Sequence, residues 1–225
     1  MKTITNREVL PAILAHDAED FRSRIHFPGL ASCAQTVHVD ILDGTLFNAT
    51  CFADPTYIAS WGNIPAIELH VMTANPMRHI AAWHRYVPQV RRAIVHLEIA
   101  SALPTTLREI RDLHLETGVA ISPRFHVDDI AMHQHNIDRL LIMGIEPGRS
   151  GQTFLGDPIL AKIQRARHLY PNIHLAVDGG VSLENARVLA ENGAQSLVAS
   201  SAIWNNPHPI HACEQLVHRS MLSTK

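Results

Sequence analysis

Eight short apolar runs rich in β-branched residues alternate with longer amphipathic stretches across 225 residues. No G-x-G-x-x-G follows the first run, and polar residues gather at the ends of several different runs. These observations predict a single α/β domain over residues 1–225, folded as a (β/α)8 TIM barrel. An open doubly wound sheet would suit the alternation, but not the missing glycine fingerprint or the scattered polar run ends. The length agrees, since α/β barrels commonly use about 200–250 residues as one domain.

The predicted strands span residues 9–14, 36–40, 67–71, 93–97, 119–122, 140–144, 174–177 and 196–199. Most are continuous apolar runs, as expected for parallel strands covered on both faces. Between them, residues 76–86 read as a helix opened by Pro76. Residues 105–116 are amphipathic and stop before Gly118. Residues 158–169 place Pro158 in a first turn, where its missing N–H costs nothing. Residues 182–192 start at a capping Ser182 and end at Gly193, a favoured residue just past a helix.

Composition narrows the function. Nineteen Lys+Arg against 21 Asp+Glu give a net charge of −2, so the chain lacks the basic footprint of a nucleic-acid binder. Cys33, Cys51 and Cys213 are scattered, which argues against a disulfide framework or a zinc knuckle. No apolar run approaches the roughly 20 residues of a membrane helix. The N-terminal segment, interrupted by Pro11 and followed by acids, is not a signal sequence. A cytoplasmic protein without membrane or nucleic-acid partners is expected. The unusual count is histidine, at 16, and histidine is the commonest metal ligand.

In Val37-His38-Val39-Asp40, strand alternation points His38 and Asp40 the same way. Such a pair is costly to bury unless it is hydrogen-bonded or bound to metal. Alone, the pattern suits a buried hydrogen-bonded pair as well as a site. The next run ends in Glu68-Leu69-His70-Val71-Met72, and the seventh in Asp178-Gly179-Gly180. Taken singly, His70 suits the core and Asp178-Gly179 a turn. Together, two histidines and two aspartates at three strand ends suit a divalent transition metal.

Over essentially its whole length the chain resembles the ribulose-phosphate 3-epimerases. The matching segments are VLPAILAHD, VHVDILDG, ELHVMTANP, VHLEIA, GVAISP, MGIEPGRSGQTF followed by LAKI, VDGGVSLENA, and NGAQSLVASSAIW. The resemblance implies a barrel of the ribulose-phosphate-binding type with one divalent metal ion per chain. Its ligands would be His38, Asp40, His70 and Asp178, with Asp40 and Asp178 also the two catalytic acid/base groups. The implied reaction inverts C3 of a ketose phosphate through a metal-stabilised enediolate, interconverting ribulose 5-phosphate and xylulose 5-phosphate or close analogues. The donor set accepts Zn2+, Fe2+, Mn2+ or Co2+. Met72, alongside His70 as a substrate contact, would form an apolar wall, though core packing explains it equally. Phosphate would be held by backbone amides of Gly148, Arg149, Ser150, Gly151, Gly179, Gly180, Ser200 and Ser201. Arg149 is equally a solvated loop residue. His96, in an H-x-E, would support the site, whereas His133 and His135 are expected in solvent. The implied partners are a sugar phosphate and further copies of the chain in a homo-oligomer.

Several positions depart from the family pattern. Ala12 replaces the serine of P-S-I-L, Leu42 a methionine, Thr45 a histidine and Ser200 the glycine of G-S-A; the loop at residues 147–152 reads PGRSGQ rather than PGFGGQ. These changes surround the substrate and spare the four metal positions, which predicts preserved chemistry with altered recognition. An allulose 6-phosphate or other ketose-phosphate epimerase is the alternative within the class. A non-catalytic phosphosugar-binding paralogue is the alternative outside it. Aspartate–lysine decarboxylases and Schiff-base aldolases are excluded, because Lys2, Lys162 and Lys225 lie on no predicted strand.

Overall fold

Strands β1 (Glu8–Ile13), β2 (Thr36–Ile41), β3 (Ala66–Val71), β4 (Val90–His96), β5 (Glu116–Ile121), β6 (Arg139–Met143), β7 (His174–Asp178) and β8 (Ser196–Ala199) pair in chain order, all parallel. Strand β8 pairs with β1 and closes the barrel. The computed structural model describes residues 7–148 and 151–222. All eight predicted strands are present, with ends that agree within three residues. Around them run α1 (Ala18–Ile25), α2 (Leu30–Cys33), α3 (Pro55–Ile58), α4 (Pro76–Tyr86), α5 (Leu103–Asp112), α6 (Asp157–Leu169), α7 (Ala186–Glu191), α8 (Ser201–Trp204) and α9 (Pro209–Met221). No helix among the described residues is long and apolar enough to cross a membrane.

Strand alternation builds two apolar regions. Val37, Val39 and Ile41 of β2 join the large core that also takes Ile80 and Trp83 of α4 and Ile159 and Ile163 of α6. A separate, smaller cluster comprises Leu10, Ala12, Ile94, Ala120, Leu141, Met143, Ala176 and Val198. These residues fill the barrel interior, on the same strand faces as His38 and Asp40. Helix α4 starts at Pro76 as the sequence predicts, and α6 starts one residue early, at Asp157.

Two helix predictions need correction. The helix expected over 105–116 is α5, which ends at Asp112; His114 then adopts φ +58° and Glu116 opens β5. Gly118 is therefore a strand residue rather than a helix stop. A Cβ there would lie 2.6 Å from Ile94 Cγ1 inside the barrel, so glycine is a packing requirement. We expect Gly118→Ala to destabilise the fold by about 1–2 kcal/mol net, because interior overpacking outweighs the entropic gain of alanine. Urea unfolding checks this; a more stable variant would contradict it.

The second correction concerns residues 182–192. Ser182 does not cap a helix. Its N–H donates to Asn185 Oδ1 at 2.8 Å, while Asn185 Nδ2 donates to the Gly180 carbonyl at 2.8 Å. Asn185 thus ties the turn back to the end of β7, and α7 forms only from Ala186. Gly193 follows that helix with φ +119°, in the predicted role.

Candidate metal and proton-transfer site

The register of β2 against β3 sets Asp40 beside His70 and His38 beside Glu68. Across the barrel, β7 ends at Asp178. His38, Asp40, His70 and Asp178 each offer one ligand atom, and these atoms all lie within 4.8 Å of one another. His70 Nδ1 is 3.0 Å from Asp40 Oδ1 and 3.4 Å from Asp178 Oδ2. His38 Nε2 is 3.4 Å from Asp40 Oδ1 and 3.9 Å from Asp178 Oδ2. Both histidines are fully buried.

Each histidine has a second partner. His38 Nδ1 lies 2.7 Å from Glu68 Oε1. His70 Nε2 lies 2.8 Å from His96 Nε2, whose own Nδ1 is 3.1 Å from Glu98 Oε2. Arg124 reaches Glu98 at 3.4 Å. Burial, acting against the Glu98 carboxylate, pushes the His96 pKa down to about 4, so this ring is neutral near pH 7. His96 thus lies between His70 and Glu98, the position for which the resemblance implies a supporting role.

The charges decide what the cluster can hold. Below it, Glu8 and Glu68 face Arg92 and Arg139, two negative against two positive. Among the described residues, no lysine or arginine pairs with Asp40 or Asp178. Their counter-charge must come from protonated His38 and His70, or from a bound cation. His38 Nε2, buried beside both carboxylates, also has no hydrogen-bond partner among the described residues. Two imidazole nitrogens and two carboxylate oxygens, one nitrogen orphaned, fit a divalent transition ion.

Protons compete for the same atoms. Burial opposes a charged His38, but the Asp40 carboxylate beside Nε2, the hydrogen bond to Glu68 and the nearby charge of Asp178 outweigh it and hold its pKa well above the ordinary value. For His70, burial is likewise outweighed by hydrogen bonds to Asp178 and Asp40. Burial would raise Asp40, yet the two histidines beside it hold it far below the usual carboxylate range. In metal-free protein, the two raised histidines stabilise the fold fully below about pH 6.5, where the unfolded imidazoles are protonated as well. That contribution disappears as pH rises through the folded values. We expect the stability gap between metal-loaded and chelator-treated protein to widen from pH 6 to pH 9; urea midpoints that stay parallel would contradict this.

Above the cluster opens a cleft. Asp40, Met72, Gly148, Gly151, Asp178, Gly179, Gly180, Ser200 and Ser201 line it, with Ala12 and Leu42. Arg149 and Ser150, also predicted there, lie outside the described residues. His38 and His70 lie beneath and do not line it. Met143, Ile145, Val181 and Val198 extend the apolar wall expected of Met72. Sequence reading missed them because they look like ordinary core residues.

Gly179 and Gly180 have φ +96° and +69°, and a Cβ on Gly180 would sit 2.7 Å from the Phe154 backbone. Their glycine requirement thus includes packing against the segment after β6. Thr45, at one departure position, donates to Asp43 Oδ1 at 2.5 Å and accepts from the Ala74 N–H at 2.9 Å, joining two rim loops. Lys162 donates to the carbonyls of Ser122, Pro123 and Phe125, a structural role consistent with excluding a Schiff base. His135 is exposed and His133 partly so, and neither lines the cleft.

The solved 3-hexulose-6-phosphate synthase superposes with a TM-score of 0.68 at 15% identity, covering 96% of this chain and 99% of that one. At that identity the likeness shows the barrel fold alone. Residues 8–204 match the Ribulose-phosphate 3 epimerase family. The ribulose-phosphate 3-epimerase of Chlamydia muridarum is 32% identical over 178 residues, 76% of each chain. That of Rhodobacter capsulatus is 28% identical over 200 residues, 88% of this chain and 86% of its own. The barrel is the fold of an enzyme that the family match and these relatives place in the isomerase class, as an epimerase. The chain belongs to the ribulose-phosphate 3-epimerase family.

Proposed function

We propose that this protein inverts C3 of a ketose phosphate, with ribulose 5-phosphate and xylulose 5-phosphate as the first pair to test. The observation that carries the proposal is the placement of two carboxylates in one cleft, Asp40 from β2 and Asp178 from β7. Proton removal next to a carbonyl creates a planar enediolate, which can be reprotonated on either face. Two carboxylates reaching the sugar from different strands can serve the two faces, one as base and the other as acid.

A divalent ion on His38, Asp40, His70 and Asp178 would supply Lewis-acid stabilisation of the developing negative charge. Met72, Leu42 and Met143 would shield the intermediate from water. Backbone around Gly179, Gly180, Ser200 and Ser201, with the 148–151 loop, would take the phosphate. No serine hydroxyl is present at Ala12, and Ser200, which follows the neighbouring strand β8, adds one to the same cleft lining. This is the structural ground for testing substrates beyond the pentulose. One domain over residues 1–225 and a homo-oligomeric state belong to the same proposal; a single cooperative unfolding transition and sedimentation velocity test them.

The test is a substrate panel. Metal-loaded protein is incubated with ribulose 5-phosphate, allulose 6-phosphate and other ketose phosphates, and the C3 epimers are resolved by NMR. Epimer formation from at least one is expected, and the kcat/KM ranking identifies the substrate. Binding without turnover for every member would overturn the proposal and leave a phosphosugar-binding protein.

A further inference from the structure

The two cluster histidines face it with opposite ring nitrogens. His38 presents Nε2 and leaves Nδ1 on Glu68; His70 presents Nδ1 and leaves Nε2 on His96. A metal needs a bare nitrogen at the presented position, so what decides the location of the hydrogen on each ring also decides whether the ligand is ready.

For His38 that partner is Glu68, fully buried at the barrel's centre. Its Oε2 lies 3.4 Å from Arg92 Nη1 and 3.5 Å from Arg139 Nε. Both guanidiniums also reach Glu8 Oε1, at 3.2 and 3.1 Å, and Ser196 Oγ donates to that same oxygen at 2.7 Å. Side chains from β1, β4, β6 and β8 thus hold Glu68 from below. Two guanidiniums at this distance keep it ionised, and an ionised carboxylate can only accept. The hydrogen of a neutral His38 must then sit on Nδ1, and Nε2, facing Asp40 and Asp178, is bare.

We infer that Glu68 is a positioning residue: clamped between Arg92 and Arg139, it takes the Nδ1–H of His38 and fixes the tautomer and ring orientation in which Nε2 can ligate a divalent cation. The inference rests on the reading of His38 as a metal ligand. Carboxylate partners of metal-bound histidines typically contribute about 10–100-fold to metal affinity. The direction of failure is specific here. In Glu68→Gln, the two arginines demand the amide oxygen, which turns the amide NH2 toward His38. The His38 Nδ1 must then accept, its hydrogen moves to Nε2, and the ligand nitrogen is blocked.

The experiment is equilibrium Zn2+ and Co2+ binding, by competition with a chromophoric chelator, on wild-type and Glu68→Gln protein. Affinity is normalised to the folded fraction, with the melting temperature of chelator-treated samples as the stability control. We expect Glu68→Gln to bind each ion about 10–100-fold more weakly. Folded Glu68→Gln that binds within a factor of about three of wild type would overturn the role of Glu68 and leave the four-residue site standing. Wild type that binds neither ion would overturn the site itself, and this inference with it. If Glu68→Gln does not fold, 15N NMR of the histidine side chains in Zn2+-loaded wild type decides. Hydrogen on Nδ1 of His38 with Nε2 on zinc supports the inference; Nδ1 on zinc, or Nδ1 without hydrogen, overturns it.

Discussion

Asp40→Asn and Asp178→Asn are each expected to lower epimerisation by about 10²–10⁴-fold or more, the contribution typical of a positioned acid or base. The substitutions are isosteric, so the cleft keeps its shape while one proton-transfer group is lost. Each variant should also fail asymmetrically. With one carboxylate left, only one epimer presents its C3 hydrogen to a base, so residual solvent exchange should occur into that epimer without inversion. The two variants should favour opposite epimers. Both carboxylates also belong to the candidate ligand set, so the assays are run at saturating metal with bound metal measured alongside. Near-normal turnover in either variant would contradict its assignment.

The second large effect is on metal content and stability. Wild-type protein purified without chelator should carry about one divalent ion per chain, and His38→Ala or His70→Ala should carry almost none. At free metal about a hundredfold above Kd, binding adds about 2.7 kcal/mol to stability. For a chain of this size that corresponds to a melting temperature roughly 5–10 °C higher. Alanine at either histidine also removes a buried hydrogen-bonded ring, so a lower melting temperature alone does not discriminate. The discriminating readout is response to chelator: wild type should lose the full increment and each variant almost none. Unchanged metal content in a variant would remove that histidine from the ligand set.

The barrel was readable because parallel strands buried on both faces leave continuous β-branched runs, and all eight were found. His38, Asp40, His70 and Asp178 were readable for a different reason: polar residues that break such runs near their ends need a partner. Glu68 breaks β3 in the same way, two residues before His70, and the E-x-H pattern was as visible as H-x-D. Its partners were not, because Arg92 and Arg139 come from β4 and β6 and meet it only after the barrel closes. Gly118 was misread for a related reason. Locally it looks like a helix stop, while the constraint on it is Ile94 from the neighbouring strand. Ser182 had the local signature of a cap, but Asn185 competed for the turn and won it. Local periodicity thus located the strands and the candidate ligand set; contacts that form only on closure determined the residues packed behind it.

Proton transfer at C3 is assigned to a metal-requiring pair of carboxylates, Asp40 and Asp178. It is tested most directly by following ribulose 5-phosphate in D2O by NMR with metal-loaded, chelator-treated and reloaded protein. Solvent deuterium should appear at C3 as the epimer forms, exchange and inversion should both be lost on chelation, and both should return on reloading. Epimer formation that leaves C3 unlabelled, or exchange that persists undiminished in fully stripped protein, would contradict it.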